Sequence, residues 1–203
     1  MNVAIVDYNA GNIYSVIHAL QRLGVEPVLT DNAELIQKAD KVLFPGQGEA
    51  RQAMQYLRSK GLDQIIRNLQ QPILGICIGQ QLMCRHSEEG DTACLGIFDV
   101  EVKRFQPQRH EDKVPHMGWN SLEIIKNEKI KDKSELFKGF EGGEFVYFVH
   151  SFYVPQCPWT IATTDYIQPF SAALHRDNFY ATQFHPEKSG SVGEKILRNF
   201  LEI

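Results

Sequence analysis

Gln71 to Arg85, QPILGICIGQQLMCR, is the stretch whose reading decides the fold. Pro72 to Ile76 is apolar and β-branched enough to read as a short buried strand, whereas Gln80 to Arg85 suits a helix. Cys77 stands at the junction. Gly75 and Gly79 flank it at the two places where a sharp strand-to-helix turn needs either a positive φ or no side chain in the way. This is the build of a nucleophile elbow. A thiol so placed lies at the mouth of a sheet and near a helix N-terminus, whose partial positive charge favours thiolate over thiol. The competing reading is an inert core cysteine, since free cysteine is among the most buried residue types.

Upstream of the elbow, strands and helices alternate. Val3 to Asp7 reads as a strand and Ile13 to Leu23 as a helix that Gly24 ends. Val25 to Leu29 reads as a second strand, and Thr30 or Asp31 caps a short helix through Lys38. Lys41 to Phe44 is a third strand, followed at once by PGQGEA. Two helical stretches, Glu49 to Ser59 and Leu62 to Leu69, then lead to the elbow strand. This order predicts a doubly wound α/β fold: a flavodoxin-like, three-layer arrangement around a mainly parallel sheet with right-handed crossovers. Ligands of such sheets collect at the carboxyl ends of the strands, where Asp7, Pro45 and Cys77 lie.

Downstream of Leu95 the texture changes. Gly96–Phe105, Trp119–Ile125, Phe145–Tyr153, Thr160–Tyr166, Ser171–His175 and Phe179–Phe184 are short, aromatic and β-branched, and read as antiparallel strands added to or beside the parallel sheet. Lys103 to Lys113 reads as a solvated loop. Ser189 to Ile203 reads as a final helix, capped near its start, with an apolar face of Ile196, Leu197, Phe200 and Leu201.

The 203 residues suit one domain spanning 1–203. With 43% hydrophobic residues and a formal charge of −4, disorder is unfavourable and nucleic-acid binding has no electrostatic footing. No run of eighteen apolar residues suggests a membrane span, and the N-terminus lacks the basic flank of a signal peptide. Cysteines at 77, 84, 94 and 157 form no CxxC pair and no zinc spacing, so a reduced, cytoplasmic protein without metal or cofactor is expected.

A thiol that attacks an amide needs a base, and the base needs an orienting group. His185 in QFHPEKSG is the candidate, with Glu187 two residues on; if both lie in a strand they share a face. An oxyanion would find the N–H of Ile78 at the helix start, and a second donor in the glycine-bearing segment Pro45–Gly48. Taken singly, His185 and Glu187 are equally compatible with a surface turn, and PGQG with an ordinary connection.

GICIGQQLM, HPE and PGxG together resemble the class I glutamine amidotransferases, over the whole chain. VPHMGWN at 114–120, YFVHSFY at 147–153 and HPEKSG narrow the resemblance to the glutaminase subunits of imidazole glycerol phosphate synthases. The resemblance implies a Cys77/His185/Glu187 triad that hydrolyses L-glutamine through a thioester, with backbone oxyanion donors at Gln47 and Ile78. It implies substrate contacts at Gly46, Gly48, Gln81, His150, Ser151 and Phe152. It also implies a heterodimer with a (β/α)8 cyclase that uses the ammonia to make imidazole glycerol phosphate and AICAR in histidine biosynthesis. Asn12, His116, Trp119, Asn120 and Lys188 are candidate interface residues. Alternatives are a paralogous subunit for another synthase, such as one in amino-sugar modification, a stand-alone γ-glutamyl thiol hydrolase, or a flavodoxin-like binding module using DYNAGN as a phosphate loop.

Overall fold

The computed structural model describes residues 1–8, 11, 13–125 and 135–203. The first half runs β1 (Val3–Val6), α1 (Ile13–Arg22), β2 (Val28–Thr30), α2 (Ala33–Lys38), β3 (Lys41–Gly46), α3 (Ala50–Ser59), α4 (Leu62–Arg67), β4 (Ile73–Cys77) and α5 (Ile78–Met83). The second half runs β5 (Cys84–Ser87), β6 (Thr92–Ala93), β7 (Phe98–Arg104), β8 (His116–Ser121), β9 (Glu123–Ile124), β10 (Phe145–His150), β11 (Phe152–Tyr153), β12 (Thr160–Tyr166), β13 (Gln168–Arg176), β14 (Phe179–Thr182) and α6 (Gly190–Glu202).

Eight strands form the central sheet in the order β2-β1-β3-β4-β14-β13-β12-β9. The β1, β2, β3 and β4 pairings are parallel, as the alternation of elements predicts. Alternate residues of each strand feed opposite layers. Val3 and Ile5 pack with Val16 and Leu20 of α1 and with Ile196, Leu197 and Phe200 of α6. Ala4, Val6, Val42 and Phe44 pack with Ile36, Leu57, Leu62 and Leu82 on the other side. Full burial of each large side chain contributes about 1.5–3 kcal/mol, so both faces of the sheet are strongly anchored.

Several expectations are corrected. Among the second-half strands β14 is not antiparallel to its inner neighbour: it runs parallel to β4, with Thr182 opposite Ile76, and is antiparallel to β13. This pairing carries the chain after β14 to the same sheet end as the elbow. Asn32, not Thr30 or Asp31, caps α2: its Oδ1 accepts from the Glu34 and Leu35 N–H groups. Ser189 does not cap α6 with its side chain; its Oγ donates to the His185 carbonyl and accepts from the Tyr147 N–H. The segment after β7 is no uniform solvated loop, because Phe105 is fully buried and stacks on Tyr153 at 4.5 Å between centroids. Strands β5 and β6 join β7 and β11 in a separate four-stranded sheet beside the central one, and the helix expected through Arg85 stops at Met83 because Cys84 and Arg85 already belong to β5.

Candidate active site

Cys77 ends β4 with φ 57° and ψ −108°, and α5 begins at the next residue. A non-glycine residue there costs about 1–3 kcal/mol and persists only where its surroundings hold it. Here they do, because Gly46 at the end of β3 pairs with Cys77. The flanking glycines serve by close approach rather than by positive φ. A Cβ on Gly79 would lie 1.9 Å from the Phe44 carbonyl oxygen, and one on Gly75 would lie 2.9 Å from the Gly79 carbonyl carbon. Both gaps are far below van der Waals contact, so α5 packs onto the sheet only as glycine allows.

His185 leaves β14 in an extended conformation, φ −97° and ψ 97°, and the chain then makes a single 3-10 turn, Pro186–Lys188. Glu187 therefore reaches the imidazole from a turn, not from a shared strand face. The two meet all the same: His185 Nδ1 is 2.7 Å from Glu187 Oε1, with the side chains 2% and 3% exposed. The turn is tied down by the His185 N–H on the Tyr147 carbonyl and by Gly193, where a Cβ would fall 1.8 Å from the Pro186 carbonyl oxygen. Burial alone would lower the basicity of His185. The Cys77 sulfur and the Glu187 carboxylate outweigh it and push the pKa up to about 10. The ring is thus held as an imidazolium beside the sulfur. Its Nε2 closes no hydrogen bond, a geometry that tightens on substrate binding in many such sites.

Cys77 opens into a cleft of about 370 Å³ lined by Gln47, Gly48, Ile78, Gln81, Glu89, Pro115, Val149 and the run His150–Phe152. Cys77, Ile78, Gln47, Gly48, Gln81, His150, Ser151 and Phe152 are brought together as the sequence suggests. Gly46 is not: it lies behind the cleft against His185 and Glu187. Gln81 presents less than expected, because its side-chain amide already donates to the Phe152 carbonyl and to Gln183 Oε1, both at 3.0 Å. The Pro45–Gly48 segment is no free turn. Pro45 and Gly46 extend β3, the Tyr8 hydroxyl donates to the Pro45 carbonyl at 2.7 Å, and the Gln47 carbonyl accepts from the Gly11 N–H at 3.1 Å.

Glu89 is the residue that sequence reasoning missed. It supplies the carboxylate among the described lining residues, and its Oε2 accepts from the Ala50 N–H at 2.9 Å. Burial raises its pKa, which the Ala50 hydrogen bond partly offsets. It sits in SEEGD, a polar hairpin without periodicity, so no local signal marks it. Gln183 was legible only as a neighbour of HPE.

The candidate interface residues divide. Trp119 is 55% exposed and, with Met117 and Phe145 at 63% and 57%, forms an apolar face on the β8–β10 ribbon. Val149 continues that face into the cleft. Asn120 and Lys188 are half-buried. His116 is buried and stacked on Tyr166 and Phe148, so it lies behind this face rather than on it. It alternates with Met117 and Trp119 along the strand and therefore points inward. Asn12 lies outside the described residues. Among the described residues no helix is long and apolar enough to cross a membrane, and no three His, Cys, Asp or Glu side chains are grouped to hold a metal.

The family described as glutamine amidotransferase class-I matches residues 4–203. The chain is 66% identical over 203 residues to the imidazole glycerol phosphate synthase subunit HisH of Bacteroides thetaiotaomicron, covering all of both chains. It is 42% identical over 204 residues to the subunit of that name from Yersinia pestis, again covering all of both. Among solved structures, PurLQS from Thermotoga maritima superposes with TM-score 0.65 at 18% identity, over 99% of this chain and 97% of that one. The glutaminase domain of Trypanosoma brucei CTPS superposes with TM-score 0.68 at 15% identity, over 100% and 94%. Those two likenesses speak for the fold alone. The matched family and the full-length identity place the chain among the class-I glutamine amidotransferases, in the group of the imidazole glycerol phosphate synthase HisH subunits.

Proposed function

We propose that this chain hydrolyses L-glutamine at Cys77 and delivers the ammonia to a partner cyclase in histidine biosynthesis. The observation that carries the reading is the buried Glu187–His185 pair held next to Cys77, whose other side opens into a cleft of amino-acid size. In this reading the sulfur attacks the side-chain carboxamide carbon. The resulting oxyanion is received by the backbone N–H of Ile78 at the helix start and by the backbone of Gln47. His185 gives its proton to the departing nitrogen, and the C–N bond breaks to leave a γ-glutamyl thioester and ammonia. Water then adds with His185 as base, the C–S bond breaks, and glutamate leaves. Glu187 holds the ring with Nε2 free to shuttle that proton. Glu89 suits the substrate's α-ammonium, and the backbone of His150–Phe152 suits its α-carboxylate.

The partner follows from the product. Ammonia released into neutral water is protonated and loses its nucleophilicity, so a biosynthetic glutaminase works best when docked. The apolar face of Met117, Trp119 and Phe145 runs through Val149 into the cleft, which supports docking of a (β/α)8 cyclase there as a heterodimer in the cytoplasm. Ammonia release assayed with and without the cyclase tests this: a large rise with the cyclase and its ligand supports it, whereas full turnover by the chain alone refutes it.

A further inference from the structure

The side chain of Gln183 is fully buried beneath Cys77, between the sheet and α5, and its Nε2 lies 3.8 Å from the Cys77 sulfur. Which of its two ends faces the sulfur is fixed by a chain of hydrogen bonds with only one consistent assignment. The Phe152 carbonyl accepts from two sides: His150 Nδ1 at 2.7 Å and Gln81 Nε2 at 3.0 Å. A carbonyl oxygen has no proton, so both partners must be donors. Gln81 therefore presents its amide NH₂, the same group that lies 3.0 Å from Gln183. The Gln183 atom it meets must be the oxygen, and the Gln183 NH₂ is left pointing at the sulfur.

The other arm is equally determined. His150 carries its proton on Nδ1, so its Nε2 accepts from His116 Nδ1 at 3.0 Å. His116 Nε2 in turn faces the Asn120 Nδ2 at 3.4 Å, and Asn120 is oriented by donating to the Asp165 carbonyl and accepting from the Ser121 N–H. Burial holds both imidazoles neutral, at about 3 for His150 and about 4 for His116; this arm steadies the Phe152 carbonyl, which accepts from Gln81 whichever way the arm is polarised.

We propose that Gln183 is a further catalytic residue, an amide donor to the Cys77 sulfur, and that Gln81, whose NH₂ is bound by the Phe152 carbonyl and meets the Gln183 oxygen, is the positioning residue which fixes its orientation. The inference rests on Cys77 being the nucleophile. A donor to sulfur stabilises the thiolate and not the thiol. The charged and titratable groups that also face the sulfur are His185 with Glu187 behind it, Tyr8 across the end of β1, His150 from β10, and Glu89 across the cleft. None of these changes when Gln183 is replaced.

The test is the rate at which iodoacetamide alkylates Cys77, followed by peptide mass spectrometry in the full chain at pH 7 and pH 10. Gln183→Leu should slow alkylation about tenfold at pH 7, the effect of losing one hydrogen bond to a charged group. The difference should shrink from pH 7 to pH 10, because rising pH favours a thiolate with or without a donor, whereas a misfolded or occluded site would be slow at both. Gln183→Glu, of equal size, should slow the pH 7 reaction further by placing a carboxylate against the sulfur. Gln81→Leu removes the donor that holds the Gln183 oxygen and should slow it several-fold. Unchanged alkylation at pH 7 in Gln183→Leu overturns the donor assignment, and unchanged alkylation in Gln81→Leu overturns the positioning role. Because alkylation does not depend on glutamine turnover, this result stands apart from failure of the glutaminase reading, which would appear as ammonia release by Cys77→Ala.

Discussion

Glu187→Gln is the substitution whose consequences can be worked furthest. The carboxylate lies 2.7 Å from His185 Nδ1 with both side chains almost wholly buried, so the variant keeps the shape of the pair and removes its charge. The His185 pKa is raised in the folded state to about 10 from an ordinary 6.5, through the sulfur and this carboxylate against the opposing effect of burial. A group whose folded pKa is raised contributes stability in full below its unfolded value and loses it as pH climbs through the folded one. The Glu187 share of that stabilisation should be on the order of 2–4 kcal/mol near pH 6, in line with breaking a buried ion pair, and should fade toward pH 10. Urea unfolding of parent and variant at pH 6, 8 and 10 measures it directly. Loss of the charge that steadies the imidazolium should also reduce glutaminase kcat in the cyclase complex by on the order of 10²–10⁴, the range for a compromised acid–base group. A stability difference that is flat from pH 6 to 10, together with activity within tenfold of the parent, would refute the reasoning.

Gly79→Ala places a methyl group 1.9 Å from the Phe44 carbonyl oxygen; it should destabilise the chain by about 1–3 kcal/mol in denaturant melts and cut glutaminase activity sharply, since the displaced α5 carries the Ile78 N–H. Trp119→Ala removes the exposed anchor of the apolar ribbon and should weaken binding to the cyclase by about 2 kcal/mol or more in titration calorimetry, with no loss of thermal stability in the isolated chain. Glu89→Gln should raise KM for glutamine at least tenfold with a smaller change in kcat, because it removes a charge partner of the substrate rather than a reacting group. An unchanged KM would remove Glu89 from the substrate site.

Much of this architecture was legible because its determinants are local. Gly24 takes φ 79° where a helix has to stop, the Cys77 junction carries its own glycines, and Ile196, Leu197 and Phe200 recur at the spacing of one buried helix face. The candidate triad was readable only as a conjunction, because an elbow cysteine and an HPE segment each suggest little alone. What stayed hidden depends on contacts distant in sequence. The parallel pairing of β14 with β4 joins Thr182 to Ile76 across a hundred residues, and no property of FYAT distinguishes it from an antiparallel strand. Three consecutive residues able to cap a helix, Thr30, Asp31 and Asn32, made the choice of Asn32 a matter of backbone course. The inward turn of His116 required knowing that Trp119 and Met117 face outward, and Glu89 reaches the cleft only because β5 and β6 fold the hairpin back over α3.

The central claim is that glutamine becomes covalently attached to the Cys77 sulfur. Acid-quenched samples of the chain, its cyclase and glutamine, analysed by peptide mass spectrometry beside a parallel ammonia assay, test it most directly. The account predicts a γ-glutamyl adduct on the Cys77 peptide in the parent, and in Cys77→Ala no adduct with ammonia release reduced by at least about 10³. Ammonia release by Cys77→Ala at the parent rate would contradict it.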